Sequence, residues 1–180
     1  MDLSNNELKQ LLDIQKSTDL VRKNKWIKCQ NTLDRIHKLM IVPYQGIALI
    51  DAQLVVEDKN IVNGKPSAFM GDLGPHLAQS YLWVLGAYEI IRTLSQFSDS
   101  GDDVDLVPFK EEIRILKHKF ERLRVPLAKF EPARKNPDGY TYAYPVIDTV
   151  LGTSWSISAS ESISRRELSD QFLLLMEKLS

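Results

Sequence analysis

The chain has 180 residues, 43% of them hydrophobic and 26% charged, with a net charge of −1, a composition that suits one globular domain and makes disorder the wrong default. A single cysteine, Cys29, excludes an intrachain disulfide and a thiolate zinc cluster, so a reducing, cytoplasmic address is expected. The near-zero net charge by itself argues against a generic polyanion binder, but the charge is unevenly spread. Lys16 to Lys38 holds seven basic residues against two acidic, a net +5, and Lys117 to Lys135 repeats that balance, which leaves −11 for the rest.

Taken in order, Ser4 and Glu7 have the spacing of a capping box and Leu3 and Leu8 that of a hydrophobic staple, so a helix starts here where a signal peptide would need an apolar run. Trp26, Cys29, Leu33, Ile36 and Met40 form one apolar seam of a second helical stretch. Residues 4–40 read as one helix or as two broken near Ser17-Thr18-Asp19, ended in either case by Pro43. Residues 46–65 read as a short helix passing into two short strands, because Val55-Val56 and Ile61-Val62 are β-branched pairs and Asn63-Gly64 is a hairpin signal. A loop from Lys65 to Pro75 follows.

Residues 76–97, HLAQSYLWVLGAYEIIRTLSQF, are apolar on nearly every side and predict a central helix wrapped by its neighbours. Gly86 in its middle costs about 1 kcal/mol against Ala, which points to another element packing against the backbone. Glu89 and Arg92 interrupt the longest apolar run, which falls short of the roughly 20 residues needed to span a bilayer, so no membrane span is expected. After the acidic linker SDSGDDVD, the residues Leu106, Phe109, Ile113, Leu116, Phe120, Leu123, Leu127 and Phe130 alternate steps of three and four, a heptad seam. Pro126 lies within it and predicts a bend or an end between Arg124 and Lys129.

Pro137-Asp138-Gly139 is a turn. Beyond it Tyr140, Tyr142 and Tyr144, then Trp155, Ile157 and Ala159, alternate with small or polar residues, two strands of a hairpin. The chain closes with a helix announced by Ser164 and Glu167, with Ile163 and Leu168 as staple and Leu168, Phe172, Leu175 and Leu179 as buried stripe. The whole is expected to be a single α+β domain, predominantly α. It has a mainly helical part from 1 to 130, a hairpin plus C-terminal helix from 140 to 180, and a helical bundle around 76–97 with a small antiparallel sheet near 140–160.

Candidate sites are few. Arg114 and His118 lie on the charged side of the heptad helix. An Arg with a nearby His on a compact helical bundle resembles the metal-independent ribonucleases of the HEPN type, although that family leaves four to six residues between the two and this chain leaves three. The resemblance implies a ribonuclease or another nucleic-acid-directed enzyme with Arg114 and His118 as its residues. Glu89 and Arg92, charges in an otherwise apolar helix, are expected to be partly buried as an intrahelical ion pair, or to floor a pocket in which Glu89 is the acid or base of a small-molecule enzyme.

Asp34 with His37 and Asp72 with His76 are His–carboxylate pairs at helix-turn spacing, and neither assembles the three or four ligands of a metal site, so no metal and no cofactor is called. The strand tyrosines are read as cover for a helix layer, or as a platform on which bases stack. The basic segments carry the leading reading, a non-catalytic interaction or regulatory module. Its binding residues are Lys117, Lys119, Arg122, Arg124, Arg134 and Lys135, with Lys23, Lys25 and Lys28, and its partner an acidic protein or a nucleic acid. If the two basic helices are neighbours, they merge into one face of about +10. The heptad seam also suits pairing with a second copy as a homodimer.

Overall fold

A computed structural model describes residues 16–65, 72–101, 103–131 and 140–180. The helices are α1 (Leu20–Lys28), α2 (Gln30–Ile36), α3 (Ile41–Val62), α4 (Gly74–Ser100), α5 (Lys110–Lys129) and α6 (Arg165–Leu179). The strands β1 (Tyr140–Asp148), β2 (Gly152–Ser158) and β3 (Ser162–Ser164) form an antiparallel sheet in that order. This is an α+β fold, mostly α, as the patterning requires. The capping box at Ser4 and Glu7, the turn at 137–139 and the basic residues Arg134 and Lys135 lie outside the described residues.

Asp19 separates α1 from what precedes it, accepting the Arg22 amide as N-cap. A second break falls at Cys29, between α1 and α2, yet Trp26, Cys29, Leu33 and Met40 are all buried as the seam demands. The largest departure from the sequence reading is α3, which is one unbroken helix where a short helix and two strands were expected. Pro43 does not end a helix but sits in the first turn of this one, where a missing amide is harmless. Asn63-Gly64 is a helix stop, not a hairpin turn: Gly64 takes φ +62°, and the amides of Gly64 and Lys65 return to the carbonyls of Ile61 and Asn60. The β-branched pairs tolerate a helix here because Asp51, Leu54, Val55 and Asp58 fall on one side of it, and all four are buried.

An aromatic chain ties the helices into one core. Tyr44 of α3 meets Trp26 of α1 edge-on at 5.6 Å, Trp26 meets Phe172 of α6 at 5.4 Å, Phe172 meets Phe120 of α5 at 6.0 Å, and Phe120 meets Trp83 of α4 at 6.1 Å. Trp83 then closes the circuit by donating its indole N–H to the carbonyl of Ile47 on α3, at 3.2 Å. The centre is therefore shared between α3 and α4. Helix α4 is not wrapped on every side: Leu82 is 59% exposed and Leu85 only half-buried. At Gly86 a Cβ would stand 2.7 Å from Ile47 Cδ1, so the glycine marks a close approach of α3. Lys38–Val62 is also, by length and composition, apolar enough to cross a bilayer, with a mean hydropathy of 1.6; here α3 packs against α1, α4 and β2.

The heptad seam is consumed within the chain. Leu106, Ile113, Leu116, Phe120, Leu123 and Leu127 are buried, while Phe130, in the left-handed conformation that ends α5, is 74% exposed. Helix α5 runs through Pro126 and stops at Lys129, inside the expected window. On the sheet, Trp155 and Ile157 face the core, whereas Tyr142 and Tyr144 are half exposed and Ala143 packs inward in their place. Tyr142 and Tyr144 thus do not cover the helices. Helix α6 keeps its expected start: Ser164 accepts the Glu167 amide, and Ile163 and Leu168 are both buried.

Burial sets the expected cost of truncation. Leu116→Ala should lower unfolding free energy by about 2–5 kcal/mol, and Leu85→Ala by less than half of that, in urea melts followed by circular dichroism.

Candidate functional site

The two aspartates on the inner side of α3 stand seven residues apart, two helical turns, so their side chains point the same way. Asp51 is fully buried and Asp58 nearly so. Neither charge tolerates that position without partners, and each recruits several from distant parts of the chain. Arg165, the first residue of α6 and itself fully buried, bridges them: Nη1 donates to Asp51 Oδ1 at 2.8 Å and Nη2 to Asp58 Oδ2 at 2.5 Å. Its guanidinium lies over the Trp83 ring, 5.6 Å from the centroid.

Asp51 is saturated. Arg22 Nε and Trp26 Nε1 donate to Oδ2 at 2.5 and 2.8 Å, and Ser169 Oγ donates to Oδ1 at 2.5 Å alongside Arg165. Arg22 continues outward through Nη2 to Ser169 Oγ at 2.5 Å and through Nη1 to Asp170 Oδ1 at 2.6 Å. Asp58 Oδ1 accepts the Thr153 amide at 2.9 Å and lies 3.0 Å from His76 Nε2, which is also 2.7 Å from Thr153 Oγ1. An ionised carboxylate only accepts, so the imidazole proton belongs on Nε2, shared between Asp58 and the threonine hydroxyl.

Gly152, at φ +80°, lets β2 come this near: a Cβ there would stand 2.5 Å from the Asp58 Cβ. Burial pushes the Asp58 pKa upward, but the His76 hydrogen bond, the Arg165 charge and the Thr153 amide outweigh it and hold the carboxyl at about 2. Asp51 is likewise lowered, burial being overcome by Arg165 and Arg22.

The buried core of this lattice, Arg22, Arg165, Asp51 and Asp58, is neutral in sum and joins α1, α3, α4, α6 and β2. Chemically it is closed, because each carboxylate already accepts three or four donors away from solvent. Cavities open elsewhere: one of about 340 Å³ is bordered by Arg35, Phe97 and Asp105, and two more lie between α5 and α6. Among the described residues no three His, Cys, Asp or Glu groups converge as a metal-ligand set.

The residues singled out from sequence fall outside the lattice, except His76, whose partner is Asp58 from α3 and not Asp72. Glu89 and Arg92 do pair, at 2.8 Å, but on the surface, with side chains 49% and 45% exposed. Arg114 is half exposed and held by Glu111 at 2.6 and 2.8 Å. His118 Nδ1 lies 2.8 Å from Glu121, which also accepts Lys117 at 3.0 Å and the Tyr88 hydroxyl at 3.3 Å. Burial acts to raise the Glu121 pKa, and the hydrogen bonds from Lys117 and His118 reverse it to a net lowering.

Arg124 lies over the Tyr88 ring and 4.0 Å from Glu89, Arg122 pairs with Glu161, and Lys119 donates to the neutral Gln171 at 3.0 Å. On α1, Lys25 meets Glu177 at 3.1 Å, while Lys23 and Lys28 have no carboxylate within ion-pair distance among the described residues. The two basic helices do not merge into one face, because α6 packs against both and sets Glu167, Asp170 and Glu177 beside them.

Comparison of the chain with protein-family models, with curated proteins and with solved structures finds no match. The signal for the lattice was present in the sequence all the same. Two aspartates at i and i+7 in an apolar helix invite the argument applied to Glu89 and Arg92, and splitting residues 46–65 into helix and hairpin concealed it.

Two measurements follow from this geometry. The Asp58 pKa is depressed on folding from its ordinary 3.8 to about 2. Its contribution is thus complete above about pH 4 and fades as pH falls toward 2. Asp58→Asn should cost about 3–5 kcal/mol at neutral pH by stranding Arg165, and should flatten the fall of the urea midpoint between about pH 4 and 2. Gly152→Ala should cost on the order of 2–4 kcal/mol, combining a left-handed backbone with a clash against Asp58 that no side-chain rotation relieves; thermal unfolding reads it directly.

Proposed function

We propose that this chain is a non-catalytic interaction module of a reducing compartment, which takes an acidic protein partner on the outer face of α1. One asymmetry carries the reading. The two basic segments carry equal net charge, but the α5 cations Lys117, Arg122 and Arg124 are each neutralised by a glutamate of the same chain, whereas Lys23 and Lys28 are left to solvent among the described residues. Helix periodicity sets Leu20, Lys23, Asn24, Ile27 and Lys28 along one side of α1, opposite the buried Arg22 and Trp26.

That side is mixed in character. Val21 is 72% exposed, Leu20 41% and Ile27 37%, interleaved with the lysines. A partner segment bearing both carboxylates and apolar side chains satisfies both components, while a phosphate backbone satisfies only one. The thiol of Cys29, at the break that ends this helix, is buried, and burial raises its pKa and keeps it a neutral packing group.

Fluorescence anisotropy with a synthetic Glu/Leu amphipathic peptide and with a single-stranded oligonucleotide of matched charge tests the reading at low and at raised salt. The peptide is expected to bind, more weakly as salt rises. Lys23→Glu with Lys28→Glu is expected to weaken it by roughly tenfold or more, and exchange of Lys117, Lys119, Arg122 and Arg124 for Ser to leave it unchanged. Binding lost only in the α5 variant moves the partner to α5, and preference for the oligonucleotide replaces the protein partner with a nucleic acid. RNA cleavage abolished by Arg114→Ala or His118→Ala overturns the non-catalytic assignment.

A further inference from the structure

The surface shared by α5 and α6 has a charge order that matches its own copy. The helices run antiparallel along it: Glu112 pairs with Lys178 at one end, and Lys119 donates to Gln171 farther along. The outward stripe of α5 reads Glu112, Ile115, Lys119, Arg122, and that of α6 reads, in the opposite direction, Lys178, Leu174, Gln171, Glu167. Ile115 and Leu174 sit side by side at the middle, 48% and 53% exposed, over a groove of about 210 Å³ floored by Leu116 and Leu175. A second groove of about 150 Å³ continues from it, sharing Lys119 and Gln171.

We propose that this face is the self-association surface of the protein, and that its occupant is a second copy of the chain in an isologous dimer. A two-fold axis in the interface has two ways to superpose the stripes. With the axis along the helices, α5 lies on α6 of the other copy: Glu112 meets Lys178, Ile115 meets Leu174 and Arg122 meets Glu167. With the axis across the helices through Ile115 and Leu174, each helix lies on its own equivalent: Glu112 meets Lys119, Lys178 meets Gln171, and the apolar residues meet themselves. Charge is complementary in both, whereas a face of one sign would repel its copy in either. The heptad seam plays no part, since its residues are spent on the core.

Size sets the strength. Helix α6 is 15 residues long, so the overlap is about 22 Å by two helix widths, roughly 450 Å² per copy, at the low end for specific interfaces. Association is therefore weak and reversible, and visible only at high protein concentration.

Sedimentation equilibrium on the full chain from about 10 to 500 μM is the test. The mass is expected to climb from 20.6 kDa toward twice that value and to stop there. Ile115→Asp with Leu174→Asp is expected to hold it at the monomer value with an unchanged circular dichroism spectrum, and Tyr144→Asp with Val146→Asp, on exposed β1, to leave it untouched. Should the aspartate pair unfold the protein, Glu167→Lys with Glu112→Lys, which keeps the apolar residues and makes the face positive, serves instead and is expected to give a monomer. A wild-type mass of 20.6 kDa throughout, growth beyond the dimer, or dissociation by the β1 variant alone overturns the proposal.

Discussion

One guanidinium holds two aspartates across the interior of this protein, and the positions of the other elements depend on it. Arg165 opens α6 and ends the short β3 connection, so its side chain enters the core at the point where the sheet becomes a helix. From there it reaches Asp51 and Asp58, two turns apart on α3. Sliding α3 along its axis by one turn would leave one carboxylate without its cation, at a cost of several kcal/mol. The lattice thus sets the register of α3 against α6. Through Arg22, His76 and Thr153 it does the same for α1, α4 and β2.

Such a lattice is an uncertain source of net stability, because bringing four charges out of water costs nearly as much as their attraction returns. Its contribution is selectivity. The aromatic chain from Tyr44 to Trp83 would pack tolerably in several registers, as apolar contacts are not directional. The carboxylates accept from only a few directions, and they leave one arrangement in which each receives three or four donors. Stability and uniqueness therefore come from different parts of the same core, the first from Trp26, Phe120 and Phe172, the second from Asp51, Asp58 and Arg165.

The same division separates a closed cluster of charges inside from the surfaces outside. Arg22, Arg165, Asp51 and Asp58 are committed to one another inside, and Lys117, Arg122 and Arg124 of α5 to nearby glutamates. Among the described residues, the patches where a cation or an apolar side chain meets water include the outer side of α1 and the middle of the α5–α6 face, where Ile115 and Leu174 lie exposed between charges of both signs.

The local patterns determined a good deal. The α+β class, the heptad helix ending between Arg124 and Lys129, the hairpin strands, and the Ser164 cap with its Ile163–Leu168 staple were all legible, because each rests on interactions among residues a few positions apart. The close approach at Gly86 was legible too, since a glycine in mid-helix needs a reason. Tertiary structure decided the rest. Val55-Val56 and Asn63-Gly64 have strand and turn preferences worth about 1 kcal/mol or less, and burial of Asp51, Leu54, Val55 and Asp58 on one side of a helix outweighs them. Which cations are neutralised, Arg22 inside and Arg122 outside, and which are left over among the described residues, as Lys28 is, depends on carboxylates up to 148 positions away in sequence. No spacing rule reaches that far, because a charge selects its partner by distance in the folded chain.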